Sequence, residues 1–432
     1  MRGRNLVLWL ALAVLAAGVL RPAEARDGAL RIDAAASLGS IDPFVYGANY
    51  GPWALVPMTM TSYAQNSAVT YLRYPAGNWG DRFDITPQQL DLFVIQARGW
   101  GMEPSVHVRL EGGTPEKAAA LVRYANLEKG YGIRYWAIGN EPDLFRDYTV
   151  ERLNAEWRAI AEAMLAVDPD IILMGPEVSQ FPYTREGDPY TNVRREWVRS
   201  FLEANGDLVD IVTVHRYPFP RSNSDPATTI ADLEANPPQW DIVVENLREV
   251  IVETMGREMP MGITEVSSHW NIVRGGEATP DSFYHAIWWA DVLGRLIRGR
   301  VSLVNYFTLA SPPDSAYGLL GRSQPVPTYY VYALYDRLGD ALVASESTVD
   351  AVTITAAWDH DALTFLVVNR GAAAQQLPLY ISGAVITGDA EAWRLDSTLN
   401  AASTGALALE SGALLELPAQ SATVYRIAAY AE

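Results

Sequence analysis

Apolar residues fall into two alternating patterns along most of this chain. Short runs with apolar residues on consecutive positions read as strands buried on both faces. Between them lie longer stretches with apolar residues three or four apart, the helical spacing. The runs are Phe44–Asn49, Val69–Tyr74, Ser105–Leu110, Tyr135–Ile138, Ile171–Met174, Ile211–His215, Met261–Glu265 and Val301–Tyr306. The helical stretches include Pro115–Lys129, with Thr114 placed to cap it, then Thr149–Val167, Val193–Ala204, Trp240–Met255 and Pro280–Arg298. Eight strand–helix alternations over about 300 residues predict an α/β fold, a (β/α)8 TIM barrel over 42–340. A doubly wound open sheet is the alternative, weakened because no glycine-rich phosphate loop follows the first run.

After Asp340 the pattern changes. Val352–Thr355, Leu363–Val368, Gln376–Tyr380 and Thr423–Ile427 are short strand candidates separated by Gly, Ala, Asn and Ser. Such spacing predicts a C-terminal β-sandwich over 341–432. Leu30–Ala34 alternates apolar and polar residues, so 26–41 is expected to add a strand to that sandwich.

Residues 1–25 change the picture of where the chain works. Arg2 and Arg4, an apolar stretch from Leu6 to Leu20, and Ala23-Glu24-Ala25 form the pattern of a secretory signal peptide. The stretch is short for a membrane span of about 20 residues. Secreted or periplasmic export of a bacterial type is the expectation, with no membrane partner after cleavage. The formal charge is −18. Removing 1–25 takes away three arginines and one glutamate, leaving 30 basic against 50 acidic side chains, or −20. So acidic a chain repels nucleic acid and anionic lipid, and points to a neutral or weakly charged partner. With no cysteine, disulfides and thiolate metal sites are excluded. Nothing in the residues sets an oligomeric state.

The candidate chemistry lies where the runs end, because in such a barrel the strand C-termini share one mouth. There stand Asn49 and Tyr50, Arg73 and Asn78, His107 and Arg109, Asn140 and Glu141, His215 and Tyr217, Glu265, and Tyr306. Glu141 ends its run before Pro142, which a central strand does not accept. A carboxyl half-shielded by an apolar wall holds its proton toward neutral pH, so Glu141 is a candidate general acid. Glu265 supplies a second carboxyl on the opposite wall, where an arginine such as Arg73 would keep it ionised. Two carboxyl groups facing across a cleft are the minimum apparatus for glycoside hydrolysis. Trp53, Trp79 and Trp270 follow strand ends and are candidate platforms for sugar rings, whereas Trp288-Trp289 reads as helix packing. No His-x-His or His-Glu-x-x-His spacing occurs, so neither a catalytic metal nor another cofactor is expected. Asp143 and Asp314 are rim carboxylates with at most a structural-ion role, and no Gly-x-Ser-x-Gly is present.

At these residues the chain resembles a known group. Asn140-Glu141-Pro142 at the fourth strand and Gly262-Ile263-Thr264-Glu265 at the seventh look like the retaining clan A glycoside hydrolases. Arg73-Tyr74-Pro75-Ala76-Gly77-Asn78-Trp79 is similar to the strand-two segment of α-L-arabinofuranosidases and their β-xylosidase and β-glucuronidase relatives (families 51, 39 and 79). Val214-His215-Arg216-Tyr217 resembles their strand-six His-x-Tyr. Ala316-Tyr317-Gly318-Leu319-Leu320 with Pro327-Thr328-Tyr329-Tyr330 resembles their passage into the final helix. The resemblance spans roughly 42–340 and implies a carbohydrate substrate, Glu141 as acid/base and Glu265 as nucleophile. It further implies that Asn140 binds the sugar 2-hydroxyl, Tyr217 bonds the nucleophile, His215 lines the site and Arg73 holds Glu265 ionised. Asn78, His107, Trp79, Trp270 and Tyr306 complete the expected substrate-binding set. Ala76 departs from the usual glycine, and Tyr306-Phe307 stand where many clan members place tryptophan. Arabinofuranosidase, β-xylosidase, β-glucuronidase and endo-β-glucanase activities all remain open, the acidic chain disfavouring uronic-acid polymers. A transglycosylase on the same site and a non-catalytic carbohydrate-binding barrel also remain open.

Overall fold

The structure is a computed structural model, and it describes residues 28–432 except 185–188, 220–227, 271–273, 314 and 316. The signal-peptide expectation for 1–25 and the rim residue Asp314 lie outside the described residues. Eight parallel strands close into a barrel in sequence order. After an initial strand β1 (Leu30–Ser40), these are β2 (Gly47–Asn49), β3 (Tyr71–Tyr74), β4 (Glu103–Val108), β5 (Tyr135–Ile138), β6 (Ile172–Val178), β7 (Ile211–Arg216), β8 (Met261–Val266) and β9 (Leu303–Tyr306). Tyr71, Ala137, Met174, Ile211 and Leu303 pack as one apolar layer across the lower interior. Above that layer the interior turns polar, with Asn49, Arg73, His107, Thr213, His215, Thr264 and Asn305 all buried.

Helices wrap the outside where their caps and apolar stripes predict them. Thr114, Thr149 and Ser282 each accept a backbone N–H from the first turn of the following helix. The helix from Pro115 loosens into a π-helical stretch at Arg123–Glu128. The helix Phe283–Arg298 is buried almost all round, because the barrel lies on one side and the second domain on the other. Trp288 and Trp289 lie in that packing. A helix at Pro87–Gly99 was not among the expected stretches, although Thr86 and Gln89 form a capping box before it.

The remaining strands are β10 (Ala341–Ser347), β11 (Val352–Asp359), β12 (Ala362–Asn369), β13 (Gln375–Ser382), β14 (Ala384–Leu395), β15 (Ala402–Leu407), β16 (Leu414–Leu417) and β17 (Ser421–Ala431). They form a curled, mostly antiparallel nine-stranded sheet in the order β15-β14-β17-β12-β11-β10-β1-β13-β16, the β-sandwich domain. In it β1 pairs antiparallel with β10 and parallel with β13. The seam between the domains carries a buried ion pair, Arg370 to Asp291 at 2.5 Å, with Arg295 on the other Asp291 oxygen at 3.0 Å.

One strand runs further than its sequence suggests. Gly175-Pro176 reads as a stop after Met174, yet β6 continues to Val178. The register against β7 slips between Pro176 and Val178, so Glu177 sits at the slip with a left-handed backbone (φ 60°). Proline is tolerated at such an irregularity, where the ladder is already interrupted.

Candidate active site

The site is built on one buried guanidinium. Arg73, at 0% exposure, donates to Asn49 Oδ1 at 3.1 Å, Glu265 Oε1 at 3.0 Å and Asn140 Oδ1 at 2.9 Å. Its second terminal nitrogen also lies 3.1 Å from Glu177 Oε2. Burial alone would weaken its hold on the proton, but the carboxylates of Glu177 and Glu265 more than reverse this. A planar fork with five donors suits a position that must bridge strand ends all round a barrel.

Glu265 closes β8 and is met only by donors. Arg73 and the Gly77 N–H reach Oε1, both at 3.0 Å, and the Tyr217 hydroxyl reaches Oε2 at 2.8 Å. Gly77 adopts φ 64°, a conformation open to glycine at little cost, and that bend turns its N–H to the carboxylate. Tyr217 is buried, and burial together with the negative charge of Glu265 and Glu141 keeps its hydroxyl protonated as a donor.

Glu141 follows β5 through Gly139 (φ 82°), and itself adopts φ 48° before Pro142 starts a single 3-10 turn. A side chain on Gly139 would drive into Leu110, which leaves glycine the one residue that fits. The Glu141 N–H donates to the carbonyl of Glu177 at 3.0 Å, joining the two left-handed residues. Burial pushes the Glu141 carboxyl above its ordinary range, and His215 beside it works in the opposite direction. Its side chain keeps 13% exposure, against 4% for Glu265. It is the more exposed of the two carboxyl groups.

His215 lies between the acids. Its Nδ1 is 3.2 Å from Glu141 Oε1 and 3.8 Å from Glu265 Oε2, and its Nε2 is 2.6 Å from Glu177 Oε2. Burial favours the neutral ring, but the three carboxylates overcome it and push the imidazolium up to about 10. One atom from each of Glu141, His215 and Glu265 lies within 4.8 Å of the others. Because both ring nitrogens point at carboxylates, the grouping is an acid–base assembly with its donors already committed.

The other expected residues divide into two sets. Asn140 is buried, receives Arg73 on Oδ1 and donates from Nδ2 to Asn78 Oδ1 at 3.2 Å. Trp270, 44% exposed, meets Tyr217 edge-on at 5.1 Å, at the lip of the site. Trp79 lies against Phe83 with ring centroids 5.2 Å apart, and Phe83 is itself 53% exposed. Two residues are placed elsewhere. His107 is fully buried beneath the β3 loop, its Nδ1 at 3.0 Å from the Pro75 carbonyl and its ring under Gly80. It supports the loop and presents no surface to a ligand. Tyr306 is fully buried against Trp289 and His285 of the helix Phe283–Arg298. The cause is the two-residue period of β9. With Leu303 facing the interior, Tyr306 must face the helices. Phe307, one residue on, faces the mouth and packs with Ala76, Tyr217, Trp53 and Tyr317. Asp143 is bonded to Ser179 and ion-paired with Arg194 at 3.1 Å.

Two residues of the site were not read from the sequence. Asp81, in the short helix Trp79–Arg82, accepts the backbone N–H groups of Asn140 at 2.8 Å and Leu110 at 3.0 Å, tying strand ends together. Glu177 sits behind His215 at 0% exposure. It accepts from Thr213 at 2.9 Å and Thr264 at 2.7 Å besides Arg73 and His215. Burial would raise its carboxyl, but Arg73 above all, then His215 and Thr264, hold it down to about 2. Only the unread extension of β6 could have revealed it.

Comparison with known proteins adds the following. No protein-family profile matches the chain. An intracellular exo-α-(1→5)-L-arabinofuranosidase of Streptomyces lividans is 26% identical over 197 residues, a match covering 34% of this chain and 28% of that relative's length. A family 51 α-L-arabinofuranosidase from Bifidobacterium longum superposes with a TM-score of 0.73 at 15% identity, over 93% of this chain and 99% of the other. A Paenibacillus polymyxa xyloglucanase of family 44 gives 0.71 at 14%, with the same coverage. A bifunctional glucanase-xylanase from a metagenome library gives 0.71 at 17%, again over 93% and 99%. The fold shared with these structures is the barrel with its β-sandwich, and the family 51 arabinofuranosidase among them belongs to the group that the motifs resemble.

Proposed function

We propose that this chain is an exported retaining glycoside hydrolase acting on a neutral oligo- or polysaccharide. The observation that carries this reading is the pair Glu141 and Glu265, with carboxylate oxygens within 4.8 Å across one mouth. Retaining glycosidases hold their carboxyl groups about 5–5.5 Å apart, whereas inverting ones leave roughly 6.5–9.5 Å for a water. The pair is also asymmetric as double displacement requires, one group faced only by donors and the other held toward its protonated form.

In the proposed reaction the Glu265 carboxylate bonds to the anomeric carbon while the bond to the leaving oxygen breaks. That oxygen takes the proton of Glu141. The Glu141 carboxylate then removes a proton from water, the water oxygen bonds to the anomeric carbon, and the ester to Glu265 breaks. Tyr217 steadies Glu265 before attack, and Arg73 carries its charge. Trp270 and Trp79 are proposed as sugar-facing rings. The similarity to arabinofuranosidases, glucanases and xylanases supports the carbohydrate class without selecting one sugar. Export rests on the pattern of 1–25 and is checked by N-terminal sequencing of the protein from a culture medium or periplasm.

The test is turnover of a panel of aryl glycosides, with the anomer of the first product followed by NMR. Retention of configuration, loss of turnover in Glu265→Gln, and recovery of Glu141→Ala by added azide as the glycosyl azide are the expected results. Binding of oligosaccharide without turnover would replace this reading by a carbohydrate-binding barrel. An inverted product would remove the double displacement.

A further inference from the structure

Glu177 is a buried carboxylate that the double displacement does not use, yet its Oε2 and its backbone carbonyl are directed at groups that do. Its Oε2 lies 2.6 Å from His215 Nε2 and 3.1 Å from the Arg73 guanidinium. Thr264 and Thr213 donate to the two oxygens, so the carboxylate has no freedom to turn away. Its backbone carbonyl accepts the Glu141 N–H at 3.0 Å. Glu141 and Glu177 both hold left-handed backbones, strained for a non-glycine residue and kept only where the surroundings enforce them. The bond between them ties one to the other.

We propose that Glu177 is a positioning residue. It fixes His215 from behind and, through that ring and through its own carbonyl, sets where the Glu141 carboxyl points. The inference rests on the reading of Glu141 as acid/base. In the proposed arrangement both ring nitrogens of His215 carry protons, one donated to Glu177 and one to Glu141 Oε1. A carboxylate behind the ring secures that state. The groups facing His215 are Glu141 from β5, Glu177 from β6 and Glu265 from β8. Beyond them, Arg73 and Tyr217 contact the acids, and Asp143 acts on Glu141. Removing the charge of Glu177 leaves His215 with fewer reasons to stay protonated. Once the imidazolium beside it is lost, Glu141 keeps its own proton to higher pH, because a neighbouring positive charge favours the carboxylate.

The test uses the full-length protein and Glu177→Gln, a replacement of equal size. The His215 ring is followed by nitrogen NMR from pH 5 to 10, its signal identified by its absence in His215→Asn. In the wild type the ring stays doubly protonated through pH 8; in Glu177→Gln its titration moves down by at least about one pH unit. On aryl glycosides, kcat falls about ten- to a hundredfold for poor leaving groups, which need the acid, and much less for activated ones, with KM within about twofold. The alkaline limb of kcat/KM moves up by about half a unit or more. Glu177→Asp keeps the charge one methylene short. It recovers part of the His215 protonation, and its titration against wild type serves if the Gln variant does not fold. An unmoved His215 titration, or a kcat loss equal for both leaving-group classes, overturns the proposal. If wild-type protein turns over no glycoside, the hydrolase reading fails by itself, while the His215 titration still decides what Glu177 does.

Discussion

Two charge networks among the described residues, one at the domain seam and one at the barrel mouth, are balanced by different means. At the seam between barrel and sandwich, Arg295, Arg298 and Arg370 gather around Asp291 and Asp241. The surplus cation is satisfied by fixed acceptors, among them the Ile354 carbonyl at 2.9 Å from Arg298 and the carbonyls of Glu234 and Asp350 beside Arg370. Arginine does not release its proton in proteins, so this network has one charge state and acts as a clamp. At the barrel mouth the count runs the other way. Glu141, Glu177 and Glu265 face Arg73 and His215, three acids against two cations. Burial tilts Glu141 toward its protonated form, so the proposed reading places the balancing proton there. Burying a surplus of acids makes a proton reservoir; burying a surplus of arginines makes a staple.

The comparison is broken most severely at Glu265. Glu265→Gln is expected to lower kcat by at least on the order of 10⁴-fold, at a stability cost of about 1–3 kcal/mol, as measured by aryl glycoside turnover and urea unfolding. An active Gln variant would mean another group is the nucleophile. Next comes Arg73→Met, which strands Glu177 and Glu265 without their shared cation. Removing one partner of a buried pair costs about 3–5 kcal/mol, so a large fall in unfolding free energy should accompany loss of activity. At the seam, Asp291→Asn leaves arginines that still meet carbonyl oxygens. It should cost about 1–3 kcal/mol and leave kcat and KM unchanged, separating clamp from reservoir in one pair of measurements.

The reservoir also predicts a pH signature. The Glu177 carboxyl is held down to about 2 in the folded state, below its ordinary value near 4.5. Its contribution to stability is therefore present above about 4.5 and lost as pH falls toward 2. His215 is pushed up from 6.5 to about 10, so its contribution is full below about 6.5 and lost as pH rises through 10. Urea midpoints from pH 2 to 10 should fall at both ends. Glu177→Gln should flatten the acid side and His215→Asn the alkaline side. A midpoint curve identical in the variants and the wild type would contradict the assigned charge states. The smallest expected effects concern the rim. Trp270→Ala should raise KM for oligosaccharides about five- to tenfold with little loss of stability, whereas Tyr306→Phe should change KM by less than about twofold. Equal effects on KM would return Tyr306 to the substrate surface.

Periodicity made the architecture legible. Consecutive apolar runs separated by helical stretches specify strands covered on both faces, and in a chain of this length a closed barrel accommodates eight of them. Strand ends made Arg73, Asn140, Glu141, His215, Tyr217 and Glu265 legible as one group, since all end their runs on one side of the barrel. The sandwich was half legible. Strands such as β14 carry mostly exposed or half-buried residues at their first positions, so no alternation marks them.

What the sequence by itself determined is therefore which strands exist and which residues stand at their ends, because both follow from local order along the chain. Tertiary structure alone decided which way an end residue points and how many residues a strand carries past a breaker. Tyr306 went to the helices and Phe307 to the mouth through the phase of a two-residue period, which the apolar content of β9 leaves unmarked. Glu177 entered the site because β6 slips register at Pro176 against β7, and a slip is a property of two paired strands. The proton balance of the site depends on that slip, since charge states are set by distances between groups far apart in the chain.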